Sequence, residues 1–180
     1  LVLSRGLGDV YKRQAKGATI LKLGGGMTKG LGAGADPEVG RQAAERDREA
    51  IEQLLHGSDM IFITAGMGGG TGTGAAPIIS KLAMEMDILT VGIVTMPFVF
   101  EGKIRLSHAN KGLEKLRKNV DSLIVVNNNK LRDIYGNLGV KEGFSKADEV
   151  LATAAKGIAE VITHHYTQNI CLLYTSPSPR

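Results

Sequence analysis

Met60-Ile61-Phe62-Ile63-Thr64-Ala65-Gly66-Met67-Gly68-Gly69-Gly70-Thr71-Gly72-Thr73-Gly74-Ala75-Ala76-Pro77 joins a β-rich run, a glycine-dense turn and a helix opening without interruption. Residues 60–65 are apolar or β-branched and predict a buried strand. Ala75-Ala76-Pro77 predicts the first turn of a helix, where proline's missing N–H is no loss. Between them, six of the nine residues from Gly66 to Gly74 are glycine. Glycine removes the Cβ that would hold a ligand away, so successive backbone N–H groups can point at phosphate oxygens. The helix start adds unpaired amides and the positive end of its dipole, worth about 0.3–1 kcal/mol toward an anion at an exposed site. Thr71 and Thr73 can add hydroxyl donors. So many glycines are costly in backbone entropy, and a turn that binds nothing does not require them.

The loop holds no lysine, which excludes a P-loop. Gly70 to Ala75 and Gly30 to Ala35 each fit the loose G-x-G-x-x-A dinucleotide pattern. That reading also wants an acidic residue about 20 positions later, at the tip of the next strand, where the chain has Thr95-Met96-Pro97.

Outward from this unit, residues 19–23, 89–95 and 122–127 read as further strands, each rich in Ile, Val, Leu or Thr. Helical patterns fill the gaps. One begins at Asp36-Pro37, turns Val39, Ala43, Ala50, Ile51, Leu54 and Leu55 inward, keeps Arg46-Asp47-Arg48-Glu49 in solvent, and ends at Gly57. A second spans roughly 103–119. A third, over 146–164, lines up Val150, Leu151, Ala154, Ile158, Val161 and Ile162 and is expected to be mostly buried. The alternation predicts an α/β fold, a parallel sheet flanked by helices. Lys115, Arg117 and Lys118 read as an exposed face, Met84, Met86 and Met96 as packing residues, and His164-His165 as a solvated helix end with no third metal ligand.

The 180 residues are 43% hydrophobic and 22% charged, as expected of one globular domain. The best apolar stretch, 88–100, is interrupted by Thr90, Gly92, Thr95 and Pro97, short of the roughly 18 apolar residues a membrane span needs. No secretory leader pattern opens the chain, and one cysteine, Cys171, excludes a disulfide framework; a reducing cytoplasm is expected. The net charge of +4 sits mainly at the ends: residues 1–14 carry +2 (Arg5, Lys12 and Arg13 against Asp9) and Arg180 one more, leaving +1 for 15–170. With 4% aromatic residues besides, nucleic acid is not an expected partner. Residues 1–14 lack a period and 171–180 end in Thr-Ser-Pro-Ser-Pro-Arg; both resemble translated sequencing adaptors, so the domain is expected over 15–170.

The run Gly68-Gly69-Gly70-Thr71-Gly72-Thr73-Gly74 is identical to the signature loop of the tubulin/FtsZ family. Its neighbours resemble the FtsZ branch, in family order: Thr28 to Ala35 with Pro37-Glu38-Val39-Gly40-Arg41, then Pro97-Phe98 with Phe100-Glu101-Gly102-Lys103, Val120 to Ile124, and Ala147 to Leu151. The likeness covers about residues 17–170 and implies a Rossmann-like GTPase domain, truncated at both ends. It implies that Gly70, Thr71 and Gly72 hold the phosphates of GTP or GDP, with Gly66, Gly68 and Gly69 shaping the loop. Ala33 and Gly34 would approach the γ-phosphate, Glu101 the ribose hydroxyls and Arg105 the nucleotide's flank, while Asn128 and Asp148 would read guanine. Without the resemblance these residues have plainer readings: Glu101 and Arg105 as an i,i+4 ion pair, Asn128 as a helix cap, Asp148 as a first-turn acid.

The resemblance further implies Mg²⁺ as cofactor, head-to-tail self-assembly into filaments, division proteins that anchor the filament to the membrane through a carboxy-terminal tail, and cytoplasmic placement at the division site. Hydrolysis in the family needs an acidic loop entering the next subunit's site. Here Asn169-Ile170 matches that loop's start and Cys171 stands where its first Asp belongs. The implied catalytic carboxylates and the family's amino-terminal glycine-rich loop are therefore missing, and the piece is expected to be inactive and unstable alone. Alternatives are a GTP-binding scaffold that does not hydrolyse, or a dinucleotide-binding oxidoreductase.

Overall fold

Asp36 starts the first helix as its sequence predicts: its carboxylate accepts from Glu38 N at 2.9 Å, and Pro37 takes the first helical position. In this computed structural model, which describes residues 21–25, 33–136 and 139–163, the expected single helix is two, α1 (Pro37–Arg46) and α2 (Arg48–Leu55). The break falls at Asp47, whose ψ of 24° is not helical. Its carboxylate turns back to accept from Gly24 N, so the residue expected in the solvated face is half-buried. The break also turns the buried stripe: Ala43, Ala44, Ile51 and Leu55 are buried, Val39 and Ala50 half-buried, and Leu54 exposed.

Three strands follow, β1 (Met60–Gly66), β2 (Leu89–Met96) and β3 (Ser122–Asn127), within a residue of the bounds the sequence predicts. They pair in parallel in the order β1-β2-β3. The strand expected at 19–23 is not formed over the described residues 21–23, although Leu21 and Leu23 pack against the core; residues 19 and 20 lie outside the described part. Between the strands run α3 (Gly70–Glu85) and α4 (Lys103–Arg117). β3 leads directly into α5 (Asn128–Tyr135), a helix the sequence reading lacked, and then α6 (Val140–Thr163).

Side chains alternate across a strand, so Ile63, Ala65 and Val94 share one sheet face, where they join Ala75, Ala76, Ile79, Leu82 and Ala83 of α3 with Ile51 and Leu55 of α2. Val91 and Ile93 point to the other face and are fully buried too. A sheet buried on both faces explains the near-continuous apolar run of β2. Helix α6 lies against β2 and β3. It begins six residues before the expected position, and it is half-buried rather than buried: Ala147 is enclosed, while Val150, Leu151, Ala154 and Ile158 are partly covered. Met86 and Met96 pack against the core as expected, but Met84 is half exposed on the outer side of α3. His164 and His165 lie outside the described residues, and no helix among those described is long and apolar enough to cross a membrane.

Candidate functional site

Ligands of open parallel sheets bind beyond the carboxyl ends of the strands. The register aligns Gly66 of β1 with Thr95 of β2, and Met96 of β2 with Asn127 of β3. The segments leaving those ends therefore start side by side. They carry Gly66, Gly68, Gly69, Gly70, Thr71 and Gly72 on the first, Glu101 and Arg105 on the second, and Asn128 on the third.

The glycine turn is tighter than its sequence suggests, because α3 opens at Gly70 rather than Ala75 and the Gly70 to Gly74 run forms its first turns. Gly68 has φ +92°, a conformation that suits glycine, and its N–H donates to the Thr73 hydroxyl at 2.8 Å. Thr73 is only 4% exposed, and its hydroxyl oxygen closes the loop by accepting this bond. Gly69 is the N-cap of α3; no side chain caps this end and no acidic residue lies in its first turn. Among the described residues the amides at Gly70, Thr71 and Gly72 thus form a helix terminus with no side-chain cap, whose positive dipole end suits an anion.

The glycines have a second cause, close packing. A Cβ on Gly70 would lie 2.6 Å from Ala33 Cβ and 2.8 Å from Asp36 O, and one on Gly72 2.5 Å from Gly66 O. Ala33 therefore packs against the start of α3. It opens a tight turn closed by Asp36 N donating to Ala33 O at 2.8 Å, with Gly34 at φ +54° and Ala35 at φ +65°. A left-handed alanine costs roughly 1–2 kcal/mol. Such strain is held by its surroundings, here α1 and α3 packed on either side.

After β2, Val99–Glu101 makes one 3-10 turn, and the Glu101 carboxylate is committed on both oxygens. Oε1 accepts from Phe98 N at 2.9 Å, and Oε2 accepts from the Arg105 guanidinium at 2.8 Å. The plain ion-pair reading of these residues is thus realised, yet a carboxylate has about four acceptor positions and two remain. Its side chain is 11% exposed. The glycine turn rests on this segment, since a Cβ on Gly68 would stand 2.9 Å from Arg105 O.

Asn128 begins α5 and is 3% exposed, with no partner for its Oδ1 among the described residues. The cap of that helix is Asn127 instead, whose Oδ1 accepts from Asn129 N at 3.0 Å. An unpaired buried acceptor costs about 1–3 kcal/mol, which a donor from a bound base would offset. Asp148 stands nine residues into α6 rather than in its first turn, which removes the dipole reading. Desolvation raises its carboxyl above the ordinary aspartate value of 3.8. Phe144 lies one turn earlier on the same helix face, and its ring meets Phe98 and Phe100 edge-on at 5.3 and 6.3 Å. Phe144 and Asn129 carry no signal of their own in the sequence: Phe144 is a lone aromatic within the charged run 141–149, and Asn129 is the last of three successive asparagines. Among the described residues no three His, Cys, Asp or Glu side chains gather as a metal would need.

The sequence profile of the tubulin/FtsZ family, GTPase domain, matches residues 10–136. The cell division protein FtsZ of Pseudomonas aeruginosa is 59% identical over 145 residues, covering 80% of this chain and 37% of that protein. FtsZ of Porphyromonas gingivalis is 56% identical over 152 residues, covering 83% of this chain and 33% of the relative. Among solved structures, an empty FtsZ dimer from M. jannaschii superposes with a TM-score of 0.79 at 46% identity, covering 83% of this chain and 43% of that one. CetZ2 from Haloferax volcanii, a GTPγS-bound protofilament, gives 0.72 at 25% identity, covering 86% and 48%. The chain spans about a third of the length of the curated relatives it matches.

Proposed function

The chain belongs to the tubulin/FtsZ family of GTPase domains, and from that premise we propose that it is the guanine-nucleotide-binding part of a filament-forming cell-division GTPase. The observation that carries this reading is the uncapped start of α3, set at the carboxyl end of β1 with Ala33 against it. In the proposed complex the Gly70, Thr71 and Gly72 amides hold the phosphates, and Gly66, Gly68 and Gly69 keep the turn close to them. Ala33 and Gly34 close over the terminal phosphate. Glu101 accepts from the ribose hydroxyls with its two free acceptor positions, and Arg105, already neutralised by Glu101, flanks the nucleotide.

Asn128 and Asp148 select guanine. A carboxylate can accept from guanine's ring N–H and amino group together, a pair adenine does not offer, and such charge-assisted bonds contribute about 1.5–3 kcal/mol each. Mg²⁺ in this reading is carried mainly by phosphate oxygens and water, as is usual for this ion with nucleotides, and neutralises phosphate charge. Hydrolysis belongs to the head-to-tail filament, where a neighbouring subunit supplies the acidic groups. Membrane-anchoring division proteins and placement at the division site in the cytoplasm belong to the same proposal.

Calorimetric titration of the chain with GTP, ATP and NAD tests it. GTP binding that ATP does not match is the expected result. NAD retention without GTP binding would overturn the proposal.

A further inference from the structure

The segment carrying Glu101 and Arg105 is not held in place by its own strand alone. Asn129, in the first turn of α5, reaches across from β3: its Oδ1 accepts from Val99 N at 3.0 Å, and its Nδ2 lies 3.5 Å from Pro97 O. The amide is itself oriented by Asn127 Oδ1, which accepts from Asn129 Nδ2 at 3.2 Å and from Asn129 N at 3.0 Å. Val99 opens the single turn that ends in Glu101, so the bond to its N–H fixes the turn from outside. Glu101 then accepts from Phe98 N and Arg105 inside it. Val99 is among the most exposed apolar residues, and Phe100 is 59% and Ile104 74% exposed, so packing reaches this segment chiefly through Phe98, which is buried against Phe100 and Phe144. The Val99 N–H, bonded across to the neighbouring strand's helix, holds the exposed side of the turn that this packing leaves out.

We infer that Asn129 is a positioning residue for nucleotide recognition: it locks the turn after β2 to the start of α5, so that the Glu101 carboxylate and the Asn128 amide keep one fixed spacing. Asn129 need not touch the ligand, and its contribution comes through Glu101. The inference rests on the guanine-nucleotide reading above, and it assigns the ribose end of the site a support on a different strand. Spacing between ribose and base contacts is what it governs, so its loss is felt most by ligands that use both.

The test compares GTP with 2′,3′-dideoxy-GTP, whose ribose offers Glu101 no hydroxyls, in titrations of the whole chain and of Asn129→Ala. The parent is expected to prefer GTP. Asn129→Ala is expected to weaken GTP about tenfold while changing dideoxy-GTP little, so the preference collapses toward unity. A general loss of fold weakens both ligands in parallel, and a preserved preference overturns the inference. Should Asn129→Ala fail to fold, Asn127→Ala keeps Asn129 but removes the acceptor that orients its amide. It is read by the same ratio, and an unchanged ratio there also overturns the inference. A parent chain that binds neither nucleotide refutes the guanine-nucleotide reading itself, and the inference with it.

Discussion

Replacing Gly74 with alanine should destabilise this chain although alanine is the better helix former, and the structure allows the size to be worked out. A Cβ at Gly74 would stand 2.7 Å from Arg41 N and 3.0 Å from Gly40 C, and closer still to Pro37 O. All three are backbone atoms of α1, so no side chain can swing aside. Ordinary contact begins at 3.4 Å, which asks α1 to retreat from α3 by 0.7 Å or more at Arg41 alone. Overpacking of this kind costs about 1–3 kcal/mol, and occasionally more. With rigid backbone on every side the upper end applies. The intrinsic gain of alanine over glycine in a helix, about 0.8–1.0 kcal/mol, offsets part of it. The net expectation is a loss of about 2 kcal/mol, close to a 30-fold shift in the unfolding equilibrium. Gly157 is the control: it lies in α6, where a Cβ would meet nothing within 4 Å, so Gly157→Ala should gain up to about 1 kcal/mol. Urea unfolding followed by circular dichroism should place the two midpoints on opposite sides of the parent's, with similar slopes. If Gly74→Ala unfolds at or above the parent midpoint, the close approach of α1 to α3 is wrong, and with it the placing of Ala33 over Gly70.

Two predictions concern Asp148. Asp148→Ala should weaken GTP binding by about 10- to 150-fold while changing ATP binding much less, which competition titrations would read; an unchanged ratio of the two affinities would remove Asp148 from guanine recognition. The second is a pH dependence. Desolvation raises the Asp148 carboxyl above 3.8, and the ionised form is the one that accepts from guanine, so affinity should be lost as pH falls through a midpoint above 3.8. Below that midpoint it should drop about tenfold per pH unit, one proton being linked to binding. The stability sign is opposite: the folded state holds this proton more tightly than the unfolded chain, so the group's contribution is greatest below 3.8 and is lost as pH rises through the folded value. The affinity limb should vanish in Asp148→Asn, as binding isotherms across the acid range would report.

The strands were legible because a strand's signal is local. Residues 60–65 and 122–127 carry their β-branched character and their turn residues within themselves. Helix α5 was not, since three successive asparagines offer competing caps: the plain reading of Asn128 as the cap falls one residue late, because Asn127 caps the turn that follows. The division of α1 from α2 was hidden for another reason: it depends on Asp47 finding Gly24, 23 residues away, and no window of sequence contains both ends of that bond. Thr73 shows the same limit within the site. Its hydroxyl belongs on paper to a phosphate loop, but burial turns it onto Gly68.

Composition, period and the glycine run by themselves determined the layered α/β class, the strand on which the phosphate turn sits and the family it resembles, because these depend on residues adjacent in the chain. Tertiary structure alone decided which of those residues can meet. The parallel register brings Gly66, Thr95, Met96 and Asn127 to one edge. Close packing makes Gly70 and Gly74 obligatory for the approach of α1, and hydrogen bonds from Asn129 tie the second segment to the third. Such contacts join residues tens of positions apart, and their energies exist only once the chain has closed upon itself.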